Sequence, residues 1–239
     1  MARLFVSDVH LGGAPGATGQ FLGFLEQEAA QAEALYILGD LFESWVGDDD
    51  RSPEARLVCR GLSGLTARGV PCFVMHGNRD FLLGEGFCAR SGCRLLADPV
   101  VAEFDGERVL LTHGDALCTD DQRYQELRSL VRDPLWQRRF LALPLESREL
   151  LVNQARAGSR RHISRTTPYV MDVNAAAVAA AFRAAGVQRM IHGHTHRPAV
   201  HHSLIDGAGA ERIVLGAWYE QGSYLSCERG RFELHELPR

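Results

Sequence analysis

The stretch Ile191-His192-Gly193-His194-Thr195-His196-Arg197-Pro198 constrains this chain most. Three histidines alternate with small residues directly after the run from Val187 to Ile191. Extended backbone turns residues i and i+2 to the same side. His194 and His196 are therefore expected to present two imidazoles to one point at a strand end. Neutral imidazole is the commonest metal ligand. Two imidazoles alone do not make a site, so the rest of the chain has to supply further donors.

Other apolar runs supply them. Leu4 to Val6 leads into Asp8-Val9-His10, again at i and i+2. Leu35 to Leu38 closes on Gly39-Asp40. Val70 to Met75 ends in His76-Gly77-Asn78-Arg79-Asp80. Val100 to Phe104 and Arg108 to Thr112 flank Asp105-Gly106, a hairpin signal, and the second arm ends in His113-Gly114-Asp115. The donors Asp8, His10, Asp40, Asn78, His113, His194 and His196 are too many for one ion. Two ions about 3.5–4 Å apart, bridged by a carboxylate, use them all.

Between these runs the period changes to that of amphipathic helices, over Phe21 to Ala32, Pro53 to Arg68 and Gly84 to Ser91. A further Ala-rich helix over Asp172 to Ala185 is read as N-capped by Asp172. Strand-like runs follow at 199–205, 211–217, 223–228 and 231–236. The βαβαβ order predicts parallel strands joined by crossover helices, in one α/β domain over 1–239. Open α/β sheets place their sites at the C-terminal ends of such strands.

From about 120 to 167 the character differs. Helices broken at Pro134 and Pro144 mix large apolar residues with arginine. Between 122 and 165 there are ten arginines and four acids, a local +6 in a chain of net charge −4, so the remainder carries −10. That balance excludes a basic nucleic-acid footprint over the whole chain. All 26 basic residues are arginine, which excludes a lysine nucleophile or Schiff base. Leu127, Leu130, Val131, Leu135, Trp136, Phe140, Leu141, Leu143 and Leu145, interleaved by Arg123, Arg128, Arg132, Arg138 and Arg139, read as an acyl-chain pocket with a basic rim. Basic amphipathic helices also favour anionic membrane surfaces. The six cysteines form no CxxC pair and read as reduced core thiols. The N-terminus lacks the apolar core of a signal peptide, and no segment reaches the ~18 apolar residues of a membrane span. The expectation is a soluble or peripheral protein.

The series Asp8-Val9-His10, Gly39-Asp40, Gly77-Asn78-Arg79-Asp80, His113 and Gly193-His194-Thr195-His196 resembles the calcineurin-like metallophosphoesterases. The resemblance implies an αββα sandwich of two facing sheets, with the helical segment as an inserted lid. It also implies one metal on Asp8, His10, Asp40 and His196 and a second on Asp40, Asn78, His113 and His194, with Asp40 bridging. The mixed oxygen and nitrogen set suits Mn²⁺, two ions per chain, with zinc or iron as the alternatives. Arg79 stands where many relatives carry histidine. Arginine stays protonated and is no general acid, but it holds phosphate oxygens bidentately, which suits a leaving group that is itself a phosphate.

Further blocks tighten the resemblance. Tyr36 to Glu43, Gly47 to Asp50, His76 to Gly84, His113 to Asp115, Leu117 to Asp121, Met171 to Asn174, Ile191 to Pro198 and Val214 to Trp218 resemble the UDP-2,3-diacylglucosamine pyrophosphohydrolases. This family implies water attack on the α-phosphorus of UDP-2,3-diacylglucosamine, giving UMP and 2,3-diacylglucosamine 1-phosphate (lipid X) in lipid A synthesis. It implies attachment to the cytoplasmic face of the inner membrane; the acidic balance outside the insert argues against nucleic acid as a partner, and no obligate protein partner is evident in the sequence. By the same resemblance Asn78, Arg79, Asp121, Ser159 and His194 touch substrate. The family's next two lid positions are occupied here by Ile163 and Thr166, in place of Asn or Thr and of Lys. Arg79 and His194 steady the reacting phosphoryl group, and Asp80, of the same catalytic group, orients ligands with Asp115. The alternative is another dinuclear-metal phosphoesterase, acting on phosphodiesters or nucleotides.

Overall fold

A computed structural model describes residues 1–13, 15–163, 172–219 and 221–237, with side chains left undescribed over 158–163. The elements in chain order are β1 (Arg3–Val6), α1 (Ala17–Gln27), β2 (Ala34–Leu38), α2 (Pro53–Ala67), β3 (Cys72–Met75), α3 (Glu85–Ser91), β4 (Arg94–Leu96), β5 (Val100–Phe104) and β6 (Glu107–Leu111). Then come α4 (Gln122–Val131), α5 (Pro134–Leu141), α6 (Leu145–Ile163), α7 (Ala175–Ala185), β7 (Arg189–His192), β8 (Ala199–Ile205), β9 (Ala208–Val214), β10 (Gly222–Glu228) and β11 (Arg231–Leu237).

The strands form two sheets, β11-β10-β1-β2-β3-β4 and β5-β6-β7-β9-β8. β1 to β4 run parallel, as do β6, β7 and β9; the other pairings are antiparallel. Strand alternation sorts the side chains into layers. Leu4 and Val6 face α1 and α2 in one core, with Phe21, Phe24, Val58 and Leu62. Phe5, between them in sequence, points the other way. It joins Leu38, Met75, Val109, Leu111, Ile191 and Ile213 between the sheets. On the outer face of the second sheet Leu110, Met190 and Ala210 meet Val178 and Phe182 of α7. The result is the expected αββα sandwich. Phe5 is fully buried, 4.9 Å from the Tyr36 ring and 5.3 Å from that of Phe104. Truncating it to alanine is expected to cost about 3–5 kcal/mol.

Two local expectations need correction, and one strand was not expected. α7 starts at Ala175, because the Asn174 side chain accepts from the Ala176 and Ala177 amides, while Asp172 pairs with Arg197 instead. The strand expected over 211–217 runs from Ala208 to Val214. Asp206 and Gly207 turn the chain tightly enough for pairing to begin at once, and Leu215 bonds to the His192 carbonyl beyond the strand's end. β4, three residues on the sheet edge, had no pattern long enough to announce it. The helices broken at Pro134 and Pro144 are as expected: Pro134 opens α5 behind an Asp133 cap, and α6 starts just after Pro144.

Candidate metal centre

All seven donors lie just beyond the C-terminal ends of β1, β2, β3, β6 and β7. The backbone there is strained. Asp8 (φ 54°), His10 (53°), Asp40 (52°), His194 (68°) and His196 (56°) all occupy the left-handed region. The other described non-glycine residues with positive φ, Asp105, Asp206 and Arg229, each precede the glycine of a hairpin turn. Left-handed backbone in residues with a Cβ persists only where the surroundings over-determine it. Here they do. The Asp8, His10 and Leu11 amides donate to the Gly39, Asp40 and Leu41 carbonyls at 2.9–3.1 Å, and the Trp218 amide donates to the Asp8 carbonyl.

The side chains converge in two groups. In the first, His196 Nε2 lies 3.2 Å from both Asp8 Oδ1 and His10 Nε2. In the second, Asn78 Oδ1 lies 3.0 Å from His113 Nε2 and 2.9 Å from His194 Nδ1, and Asp40 Oδ1 stands 3.8 Å from His113 Nε2. Asp8, Asp40 and His113 also cluster within 4.8 Å of one another. Asp8 and Asp40 thus both lie where the two groups meet, and the resemblance gives the bridge to Asp40. Asp40 sits between His113 and His10, and both imidazoles act on its charge.

This donor set fits divalent cations. Asp8 Oδ1 is buried without a hydrogen-bond partner, a costly state for a lone carboxylate oxygen. Two imidazole nitrogens face each other at 3.2 Å. His113 Nδ1 contacts the Leu38 carbonyl at 2.9 Å; donating there, it keeps its Nε2 lone pair for a metal. Charge is concentrated accordingly. Burial raises the Asp40 carboxyl to about 6, although His113 and His10 pull it down. Burial would lower His113, yet Asp40, Asp8, Asp115 and Asp98 carry it up to about 9. Burial would also raise Asp8, but His196, His113 and His10 draw its carboxyl well below the usual range. His194 falls to about 4 by burial beside His113.

Two glycines make the convergence possible. A Cβ on Gly77 would overlap the Asp40 carboxylate and amide, and one on Gly193 would overlap the Ser7 hydroxyl and the Asp8 carboxylate. Ser7 donates to Asp8 Oδ2 at 2.6 Å, and the His194 amide donates to the same oxygen at 2.8 Å.

Asp80, placed in the catalytic group by the sequence, is fully buried and spends its carboxylate on backbone. It accepts from the Asp40, Leu41, Phe42 and Gly77 amides at 2.7–3.3 Å. It therefore shapes the loops that carry Asp40 and Asn78 and has no open face for a substrate. Arg79 bonds through its amide to Asp40 Oδ1 at 2.8 Å and through its guanidinium to Glu43 Oε1 at 3.0 Å. His192 turns away, with its ring nitrogens 2.8 Å from the Gly193 carbonyl and 2.9 Å from Arg212.

Sequence reasoning missed several neighbours. Glu43 Oε2 stands 3.0 Å from His10 Nδ1. The Tyr219 ring stacks on His10 at 4.8 Å. Tyr124 stacks over His194 and donates to Asp115 Oδ2 at 2.6 Å, where Arg128 donates at 2.8 Å. The contacts to His10 and His194 span long separations in the chain, and no local pattern marks them.

The insert departs from the expected basic rim. Arg128 binds Asp115, Arg132 donates to the Gly77 carbonyl at 2.9 Å, and Arg156 binds Glu43. They face inward, because buried carboxylates and a carbonyl await them there. Arg123, Arg138 and Arg139 are exposed. Phe140 belongs to the core, with Trp136 stacked on it at 4.9 Å, rather than lining a pocket. Asp121 caps α4 by accepting from the Tyr124 amide at 3.0 Å. Ser159 and Ile163 lie on the α6 backbone, but their side chains, like the whole of Thr166, fall outside the described residues.

A family model for calcineurin-like phosphoesterases matches residues 1–198. Among curated proteins, a UDP-2,3-diacylglucosamine hydrolase of Stenotrophomonas maltophilia is 49% identical over 247 residues, covering all of both chains. Proteins of the same name from Aeromonas salmonicida and Escherichia coli are each 48% identical over the whole of this chain, covering 95% and 100% of their own. The chain belongs to the calcineurin-like phosphoesterases and, within them, to the UDP-2,3-diacylglucosamine hydrolase family.

Proposed function

We propose that this chain hydrolyses the diphosphate of UDP-2,3-diacylglucosamine by water attack on the α-phosphorus. The products are UMP and 2,3-diacylglucosamine 1-phosphate, and the step belongs to lipid A biosynthesis. One observation carries the reading: relatives of that name match end to end, insert included, at nearly half identity. The strand-end geometry supports it with a donor set for divalent ions.

Two Mn²⁺ ions suit the mixed carboxylate, amide and imidazole donors. Asp8, His10, Asp40 and His196 would hold one, and Asp40, Asn78, His113 and His194 the other. When bound, such ions supply Lewis-acid charge and a water of lowered pKa. The remaining work falls to the chain. Arg79, fixed at its amide by Asp40, offers a permanently charged fork to the phosphoryl oxygens. His194 is held in place beside the metal centre, its backbone tied to Asp8 and its ring to Asn78. The departing group is a phosphate monoester and needs no proton as it leaves, so an arginine beside it suffices.

The insert supports a lipid substrate. Leu127, Leu130, Leu135, Leu150 and Leu151 are each about half exposed on α4, α5 and α6, among exposed Arg123, Arg138 and Arg139. Apolar side chains beside arginines suit acyl chains and an anionic membrane surface. We assign the protein to the periphery of the inner membrane on its cytoplasmic side; among the described residues no helix is long and apolar enough to cross a membrane. The test is turnover after chelation. EDTA should abolish hydrolysis of UDP-2,3-diacylglucosamine and Mn²⁺ restore it, with an aryl phosphodiester turned over far more slowly. Preference for the aryl phosphodiester would instead make this a general phosphodiesterase.

A further inference from the structure

Glu43 follows β2, in the loop that carries Asp40, and its two oxygens are divided between two tasks. Oε2 stands 3.0 Å from His10 Nδ1, a close charge contact outside aligned hydrogen-bond geometry, and both atoms are buried with no hydrogen-bond partner elsewhere to satisfy them. Oε1 accepts from Arg79 at 3.0 Å and also from Arg156 of α6. The side chain is only 16% exposed. The Gly13 backbone closes over it, so that a Cβ there would lie 3.1 Å from Glu43 Cγ and Cδ. Little room remains for the carboxylate to swing away.

The chemistry on each side is specific. A small turn of the ring would point an Nδ1 proton at this carboxylate and leave Nε2 as the lone-pair donor, and His10 Nε2 is the atom facing Asp8 and His196. A carboxylate behind a ligating imidazole also makes it a stronger ligand. On the other side, one negative oxygen set against two guanidiniums leaves net positive charge for an incoming phosphate. It also limits where those guanidiniums can go.

We propose that Glu43 is a positioning residue that fixes His10 as a metal ligand through one oxygen and aims Arg79 at the phosphoryl group through the other. The inference rests on the phosphohydrolase reading for its second half only. Binding of Mn²⁺ measured by calorimetry without substrate tests the first half whether or not the substrate is correctly assigned.

The experiment compares Glu43→Gln, Arg79→Ala and the double variant, with thermal melts to confirm folding. Glu43→Gln should weaken Mn²⁺ binding ~10-fold or more, the range for a lost partner of a metal ligand. That loss should persist in the Arg79→Ala background, because it acts through His10. At saturating Mn²⁺, Glu43→Gln should also lower kcat/KM ~10-fold in the wild-type background and hardly at all once Arg79 is gone, as coupled residues behave. Unchanged Mn²⁺ affinity overturns the first half. Turnover losses that multiply in the double variant overturn the second. Should the glutamine variant not fold, Glu43→Asp, which keeps the charge but shortens the reach, is read by the same two measurements.

Discussion

At the strand ends, five candidate ligands sit in left-handed backbone, pinned by buried amides and glycines that leave no space for a Cβ. In α4 to α6, by contrast, leucines stand half in solvent, and the inward ties are arginines. Arg148 is the extreme case: fully buried, it binds the Val46 and Leu143 carbonyls and Asp49. The first region is fixed by sterics and backbone hydrogen bonds, the second by arginines bound to carboxylates and carbonyls and by Phe140 and Trp136 packed on the core. A site built for ions needs placement within tenths of an ångström. A surface built for acyl chains needs apolar area more than a single geometry.

Breaking the rigid region should have the largest effect. Asp40→Ala removes the buried carboxylate between His113 and His10, and should reduce turnover ~10³-fold or more, since several kcal/mol of metal-borne stabilisation is at stake. Metal analysis should show the ions lost. Retained metal with near-normal turnover would contradict the assigned ligands. Arg79→Ala comes next, with an expected fall of ~10²–10³ in kcat/KM. Its metal content should stay at the wild-type level, which separates it from the ligand variants.

The pH dependence of metal binding sharpens the same contrast. In the metal-free centre His113 is raised to about 9 and Asp40 to about 6. Both must lose their protons to ligate, so binding releases protons and tightens as pH rises. Between pH 6 and 9 Mn²⁺ affinity should climb ~tenfold per unit, and more steeply below 6, where Asp40 also holds a proton. Calorimetry in buffers of different ionisation enthalpy reads the proton count. A flat profile would contradict the charge distribution described for the centre.

Smaller effects belong to the insert. Arg148→Met removes a buried cation and leaves three acceptors, two of them carbonyls, to find other partners. It should cost about 2 kcal/mol in thermal or urea unfolding and open α5 and α6 to proteolysis before the rest. Replacing Leu127, Leu130 and Leu135 together by serine should change stability by no more than about 0.5 kcal/mol per site. Association with anionic vesicles and KM for a long-chain substrate should both suffer. Unchanged association would remove the insert from the membrane reading.

The same contrast explains what could be read from the chain beforehand. The ligands were legible because each closes an apolar strand with a short, chemically unusual motif. The layers followed from the alternation of periods. The insert's helix breaks were announced by Pro134 and Pro144. Glu43, Tyr124 and Tyr219 were not legible, because what matters about them is a partner far off in sequence: Glu43 reaches Arg156, and Tyr219 reaches His10. For Asp80 the orienting role was legible, but the partners through which it acts were not. Its neighbours in sequence are catalytic candidates, but its carboxylate faces backbone amides. The insert's arginines read as a rim because periodicity tells which face a residue lies on and not which buried acceptor it will find.

Hydrolysis in ¹⁸O-labelled water, with both products weighed by mass spectrometry, tests the central claim most directly. Attack on the α-phosphorus places the label in UMP and leaves 2,3-diacylglucosamine 1-phosphate unlabelled. Label in the 2,3-diacylglucosamine 1-phosphate would contradict the account.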